Sequence, residues 1–222
     1  MKFLKLSNQA IVGLLFFSSS LYSAVQIIQP SENAYEEIQE AFILAEPGDV
    51  IRLTSGIYNL QDSLSLDVAG VQVEGEGMDQ TVLNFSDQQS GAQGLSVTSD
   101  NVTLQDFSIQ NAKGDAIKVK GVTNIKFLRV KTEWTNGPSP ENGAYGLYPV
   151  ESTNVLIDGC VAIGASDAGI YVGQSKNIIV RNSRAEFNVA GIEIENSYYA
   201  DVFNNVATNN TGGILIFDLP GL

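Results

Sequence analysis

The sequence contains no histidine, a single cysteine and a single tryptophan, and it sets 12 lysines and arginines against 25 aspartates and glutamates. Without histidine there is no imidazole to pass protons near neutral pH or to ligate a metal. The lone Cys160 cannot close an internal disulfide. The shortage of cations makes nucleic acid a poor partner, because binding it depends on neutralising phosphates with lysine and arginine. Long apolar runs are also scarce: "AIVGLLFF", Ala10 to Phe17, is shorter than the roughly 20 residues of a spanning helix. No transmembrane segment is therefore expected in the mature chain.

That run instead sits between Lys2 and Lys5 on one side and "SSSLYSA" on the other, the three zones of a secretory signal peptide over residues 1–24, with cleavage after Ser23 or Ala24. Losing the leader removes two lysines and no acid, which leaves 10 basic and 25 acidic residues and a net charge of −15. An exported chain without disulfides points to a bacterial periplasmic or secreted protein held together by its fold alone.

What the chain does have is a repeat. "DNVTLQDFSIQN", "TNIKFLRVKTEW", "TNVLIDGCVAIG" and "KNIIVRNSRAEF" align on Asn101, Asn124, Asn154 and Asn177, so that the first and third steps are equal and the middle one is longer. A second element follows in each unit: "DAIKVKG", "YGLYPVE", "AGIYVGQ", "AGIEIEN" and "GGILIFD". Short alternating strands repeated with a period of roughly 23 residues predict an all-β, right-handed parallel β-helix, a solenoid over positions 61–222. The longer step is the same coil with "WTNGPSPENGA" looped out at a corner.

Strand side chains alternate between faces. Ile117, Leu147, Ile170, Ile192 and Ile214 are therefore expected to stack inward. So are Leu104, Phe127, Ile157, Val180 and Phe203, and a third column of Phe107, Val130, Cys160, Ser183 and Val206. Residues 25–60 are read as an N-terminal capping α-helix and first strand. Asn33 with Glu36 resembles a capping box, Tyr35, Ile38, Phe42 and Ala45 share a face, and Pro47-Gly48 ends the helix. No cap is visible after "GILIFDLPGL". This predicts either that the β-helix continues in a longer chain or that Asp218 and Pro220 alone guard the last edge.

The outward positions after each glycine form two columns: Lys118, Tyr148, Tyr171, Glu193, Leu215, and Lys120, Val150, Gly173, Glu195, Phe217. Six of the ten mature cations, Lys113, Lys118, Lys120, Lys126, Arg129 and Lys131, fall within one coil, next to Trp134, Tyr145 and Tyr148. Cations beside aromatic platforms suit an acidic or neutral glycan, although the same lysines can serve only to solubilise an exposed coil. Pro149 lacks a ladder donor and is expected to distort its coil and turn Tyr145 and Tyr148 outward. Glu193 and Glu195, two outward carboxylates on one strand, are of the kind that runs glycoside hydrolysis or holds Ca²⁺, or that simply keeps a face solvated. No other cofactor is indicated.

"YGLYPV", Tyr145 to Val150, is similar to the Tyr-Gly-Phe-Asp-Pro-His segment of mannuronan epimerases, right-handed β-helix enzymes that invert carbon 5 of alginate residues. The likeness runs on through "ESTNVLIDGCVAIGASDAGIYVG". In that family the tyrosine, aspartate and histidine of the segment serve catalysis. Here only the tyrosine is matched, as Tyr145, while Tyr148 and Val150 replace the other two. Over most of its length the chain resembles exported parallel β-helix repeat proteins of unassigned function, related to carbohydrate-binding and sugar-hydrolase β-helix domains. Some of these are encoded beside a second exported, dihaem cytochrome-like protein. The expectations are, in order, a polysaccharide-binding protein without strong catalysis, a uronic-acid polysaccharide epimerase or lyase using Tyr145, and a scaffold for another envelope protein. The binding face would comprise Lys118, Lys120, Arg129, Lys131, Trp134, Tyr145, Tyr148 and Tyr171.

Overall fold

The computed structural model describes residues 23–221, so all but the last two residues of the expected leader lie outside the described residues. Three parallel sheets run the length of the molecule, with eight, seven and seven strands among those residues, giving about eight coils. The first sheet runs from Val25–Ile28 to Tyr198–Phe203, the second from Gly56–Asn59 to Val206–Thr208, and the third from Leu64–Leu66 to Gly212–Phe217. Strands from residues 25–60 pair within the same sheets as those that follow.

Each coil has an apolar side that it cannot bury alone, and stacking buries it against the coils above and below. Leu147 lies between Ile117 and Ile170, and Ile170 pairs with Ile192, so that column stacks inward and is fully buried at these four positions. Leu104, Phe127, Ile157 and Val180 stack likewise. The last member of that column is Val202 rather than Phe203, because the final coil is one residue shorter than the coil before it and Phe203 pairs with Arg181 on the outside. The same shift replaces Val206 in the third column. The Ser183 amide donates to Asn205 Oδ1 at 2.9 Å, and Val206 pairs with Arg184. Cys160 is fully buried, and burial pushes its thiol up to about 12, as suits a small core residue.

The corners explain the asparagines. Asn101, Asn124, Asn154 and Asn177 have φ of 60, 64, 60 and 58°, the left-handed region that asparagine tolerates better than most side chains. Their amides form a ladder in which Asn124 donates to Asn101, Asn154 to Asn124 and Asn177 to Asn154 at 2.7, 2.8 and 3.0 Å.

The helix spans Ala34–Leu44 and buries Ala34, Ile38, Ala41 and Phe42 in the same core as Leu53 and Leu64. Asn33 makes no side-chain cap, contrary to the capping-box expectation. Ser31 acts there instead: its hydroxyl accepts from the Asn33 amide at 3.1 Å and donates to Glu37 at 3.0 Å.

Candidate functional site

The outer face of the third sheet carries the chemistry, and its shape starts from a column of small residues. A β-carbon on Gly146 would overlap the Gly169 carbonyl oxygen and stand 2.5 Å from Thr132 Oγ1, while one on Gly169 would stand 2.6 Å from Asn188 Nδ2. Both positions therefore face the interior where the second sheet bends into the third. Since Leu147 also points inward, Tyr145 is freed to face out one residue before the bend. Pro149 is not the cause. The strand runs unbroken through Tyr145–Val150, and Pro149 stays in register with Val119.

Tyr145, Tyr148 and Tyr171 meet on this face. Tyr145 and Tyr148 stack with ring centroids 4.3 Å apart, Tyr145 and Tyr171 are at 4.8 Å, and Tyr148 meets Tyr171 edge-on at 5.2 Å. Val150, Ala168 and Ala190 pack under them as a small second apolar cluster outside the main core. Tyr171 lies across Gly173, where a β-carbon would collide with its ring, and reaches the next coil to donate to Glu195 Oε2 at 2.6 Å.

Four carboxylates surround the rings. Asp115 sits 4.0 Å from Lys118, whose ammonium stands 5.0 Å from the Tyr148 ring centroid. Burial raises the Asp115 carboxyl above its usual range, and Lys118 offsets part of that rise. The Tyr145 phenol is pushed far up, first by burial and then by the Asp167 carboxylate beside it. Tyr171 is raised by burial and then by Glu195. Glu193 pairs in register with Tyr171 and Leu215 and is only 9% exposed. It makes no hydrogen bond or ion pair to a described residue. Burial raises its pKa most, and Asp167 and Glu195 add to the rise.

The structure thus brings together Lys118, Tyr145, Tyr148, Tyr171, Glu193 and Glu195, with Lys120 at the margin, held by Glu151 at 3.3 Å. Glu193 and Glu195 are buried rather than part of a solvated face. Three expected members are elsewhere. Trp134 is 5% exposed and donates its indole N–H to the Ala112 carbonyl at 2.8 Å, so it is a core residue. Arg129 makes a two-pronged bond to Asp106 at a corner, at 2.6 and 2.7 Å. Lys131 lies on the second sheet between Asp79 and Glu133, at 2.6 and 3.3 Å. The apparent basic collar is dispersed because one coil passes over all three sheets: Lys118 and Lys120 are on the third, Lys126 on the first and Lys131 on the second.

Asp115, Asp167 and Gly173 were missed as site residues. Aligning "DAIK" with "YGLY" would have placed Asp115 in the Tyr145 column, and Asp167 immediately precedes the matching Ala168. No group of three or more Asp, Glu, Cys or His among the described residues is arranged to hold a metal ion, so the Ca²⁺ expectation for Glu193 and Glu195 gains no support.

Fold and face together define a class, a parallel β-solenoid whose long outer face presents aromatic rings among carboxylates. The chain belongs to the right handed beta helix region family, whose profile matches residues 69–219. No curated protein matches the sequence. Among solved structures, the A-module of mannuronan C-5 epimerase AlgE4 from Azotobacter vinelandii aligns with a TM-score of 0.67 at 20% identity, over 82% of this chain and 55% of that one. A rhamnogalacturonan lyase aligns at 0.61 and 13% identity, over 90% and 63%. An alginate lyase from a Paenibacillus species aligns at 0.53 and 14%, over 85% and 78%. The chain therefore spans little more than half of the epimerase module, and at these identities the likeness is one of fold.

Proposed function

We propose that the protein binds a polysaccharide along the outer face of the third sheet and has no strong catalytic activity of its own. The observation that carries this reading is the three-tyrosine cluster on the outer face, where the bend at Gly146 turns Tyr145 outward and Tyr145 and Tyr148 lie half-buried beside the buried Tyr171. Strands stack about 4.8 Å apart, so successive rungs offer repeated contacts to an extended polymer. Aromatic rings give a sugar an apolar platform, and the surrounding carboxylates and Lys118 accept and donate hydrogen bonds to hydroxyls. The solved structures of similar fold include proteins named for acting on mannuronan, alginate and rhamnogalacturonan, which supports a carbohydrate partner.

Catalysis is the second reading, favoured by Tyr145 standing beside Asp167 in the segment that resembles epimerases. It is placed second because a phenol whose pKa is pushed far up releases its proton reluctantly, and the sequence has no histidine to serve as its partner. The leader supports a periplasmic or secreted location, and the helix Ala34–Leu44, packed on the first coils, would act as the cap of the solenoid. A second exported protein remains a candidate partner on the strength of the resemblance alone.

Calorimetric titration against a panel of polysaccharides tests the reading. Tyr148→Ala should weaken binding by up to about 1 kcal/mol, the scale of an exposed aromatic contact. Ultraviolet absorbance for unsaturated ends and proton NMR for epimers should stay silent. Product formation that disappears in Tyr145→Phe would put the enzyme reading first.

A further inference from the structure

The charge of the tyrosine face bears on which polysaccharide it takes. Four carboxylates, Asp115, Asp167, Glu193 and Glu195, border the rings against one ammonium, that of Lys118. Three of the four have a neighbour that occupies them: Asp115 has Lys118, Asp167 stands at the Tyr145 phenol, and Glu195 accepts from Tyr171. Lys120 is taken by Glu151 at the edge. Glu193 is different. It is outward in register and nine-tenths buried, yet it has no partner among the described residues. A carboxylate partly withdrawn from water, with no partner and two other carboxylates close by, is unfavourable unless something supplies a compensating charge or hydrogen bond. A polyuronate would bring more negative charge to this place. A protonated amine would relieve the imbalance and could lie over the rings, as the Lys118 ammonium already does on Tyr148.

Resting on the polysaccharide reading above, we infer that this face selects a glycan bearing free amino groups, a hexosamine polymer, with Glu193 receiving a sugar ammonium beside Tyr171. The amine is the discriminating group. An N-acetylated chain of the same backbone keeps the ring contacts and loses the ion pair, and a uronate chain adds repulsion.

The test titrates the full chain with glucosamine hexasaccharide, its fully N-acetylated counterpart and hexagalacturonate, at a near-neutral pH that keeps Glu193 ionised and a substantial share of the amines protonated, with EDTA and separately with calcium. The expected result is a preference of about tenfold or more for the free amine over the N-acetyl form, equivalent to about 1.4 kcal/mol. Glu193→Gln should erase that preference, bringing the affinity for the free amine down to that for the N-acetyl form. Glu40→Gln, the same charge change at an exposed helix position, should leave the preference in place. Equal losses in the two variants would mean that global acidity attracts the amine, and the inference would fall. Galacturonate binding as tightly as the amine, with or without calcium, would also overturn it. If Tyr148→Ala weakens all three ligands equally and no charge preference exists, only the amino-glycan inference fails. If nothing binds, the polysaccharide reading fails with it.

Discussion

Replacing Gly173 with alanine probes how the tyrosine face is held. A β-carbon at this position would overlap Tyr171 Cε1 and stand 2.5 Å from the Tyr171 hydroxyl oxygen, so the ring must leave its place across the strand. Two interactions go with it: the 2.6 Å bond to Glu195 and the ring contacts to Tyr145 and Tyr148. A hydrogen bond to a charged group contributes about 1.5–3 kcal/mol, and an aromatic pair about 0.5–1.5. Against this stands the gain of about 0.4–1 kcal/mol from stiffening the unfolded chain, which applies because the Gly173 backbone is not in the left-handed region. With two aromatic pairs lost, the net expectation is a loss of about 1.5–5.5 kcal/mol. Thermal or urea unfolding monitored by circular dichroism measures it, and glycan affinity should fall in parallel. The decisive comparison is a double-mutant cycle with Tyr171→Ala. In that background the collision is absent, and Gly173→Ala should become neutral or stabilising by up to about 1 kcal/mol. The same destabilisation in both backgrounds would refute the account of Tyr171 crossing Gly173.

Glu193→Gln should stabilise the free protein near neutral pH. The folded-state pKa of Glu193 is raised, so ionisation costs stability in full above that raised value, and the cost vanishes below the ordinary value of 4.5. Asp167, Glu195 and Tyr171 are the titratable groups around it, and removing the charge also relieves the two carboxylates. Unfolding measured across the acid range should show the gain of the variant shrinking to nothing as pH falls; a gain that persists in acid would contradict the assignment. Cys160, buried and with its thiol pushed up to about 12, should resist a water-soluble thiol reagent in the native protein and react fully once unfolded; prompt native labelling would show that the coil opens there.

Much of this molecule was legible in order along the chain, because its architecture is local and repeated. Alternation assigns inside and outside within a strand, and a nearly constant step from coil to coil stacks like on like. The Ile117, Leu147, Ile170 and Ile192 column and the Asn101 to Asn177 ladder therefore follow from residue spacing alone, as do the outward columns that begin at Lys118 and Lys120. One residue of slip sufficed to misplace Phe203 and Val206, since register errors of one exchange the two faces. The site was less legible because it forms across coils and around corners. Clustering of Lys118, Arg129 and Lys131 in sequence suggested a basic collar, but a single coil circles the whole solenoid and carries them to different faces. Trp134 looked like a ligand platform beside an insertion, and only packing shows its indole turned to the Ala112 carbonyl. Tyr145 breaks strict alternation, and its outward turn depends on the closeness of Gly169 and Thr132 to Gly146. The partners that set the electrostatics of the face come from successive rungs: Asp115, Asp167 and Glu195 are distant in sequence. Spacing determined which residues share a column; the bend between sheets decided which columns meet, and so which charges surround the tyrosines.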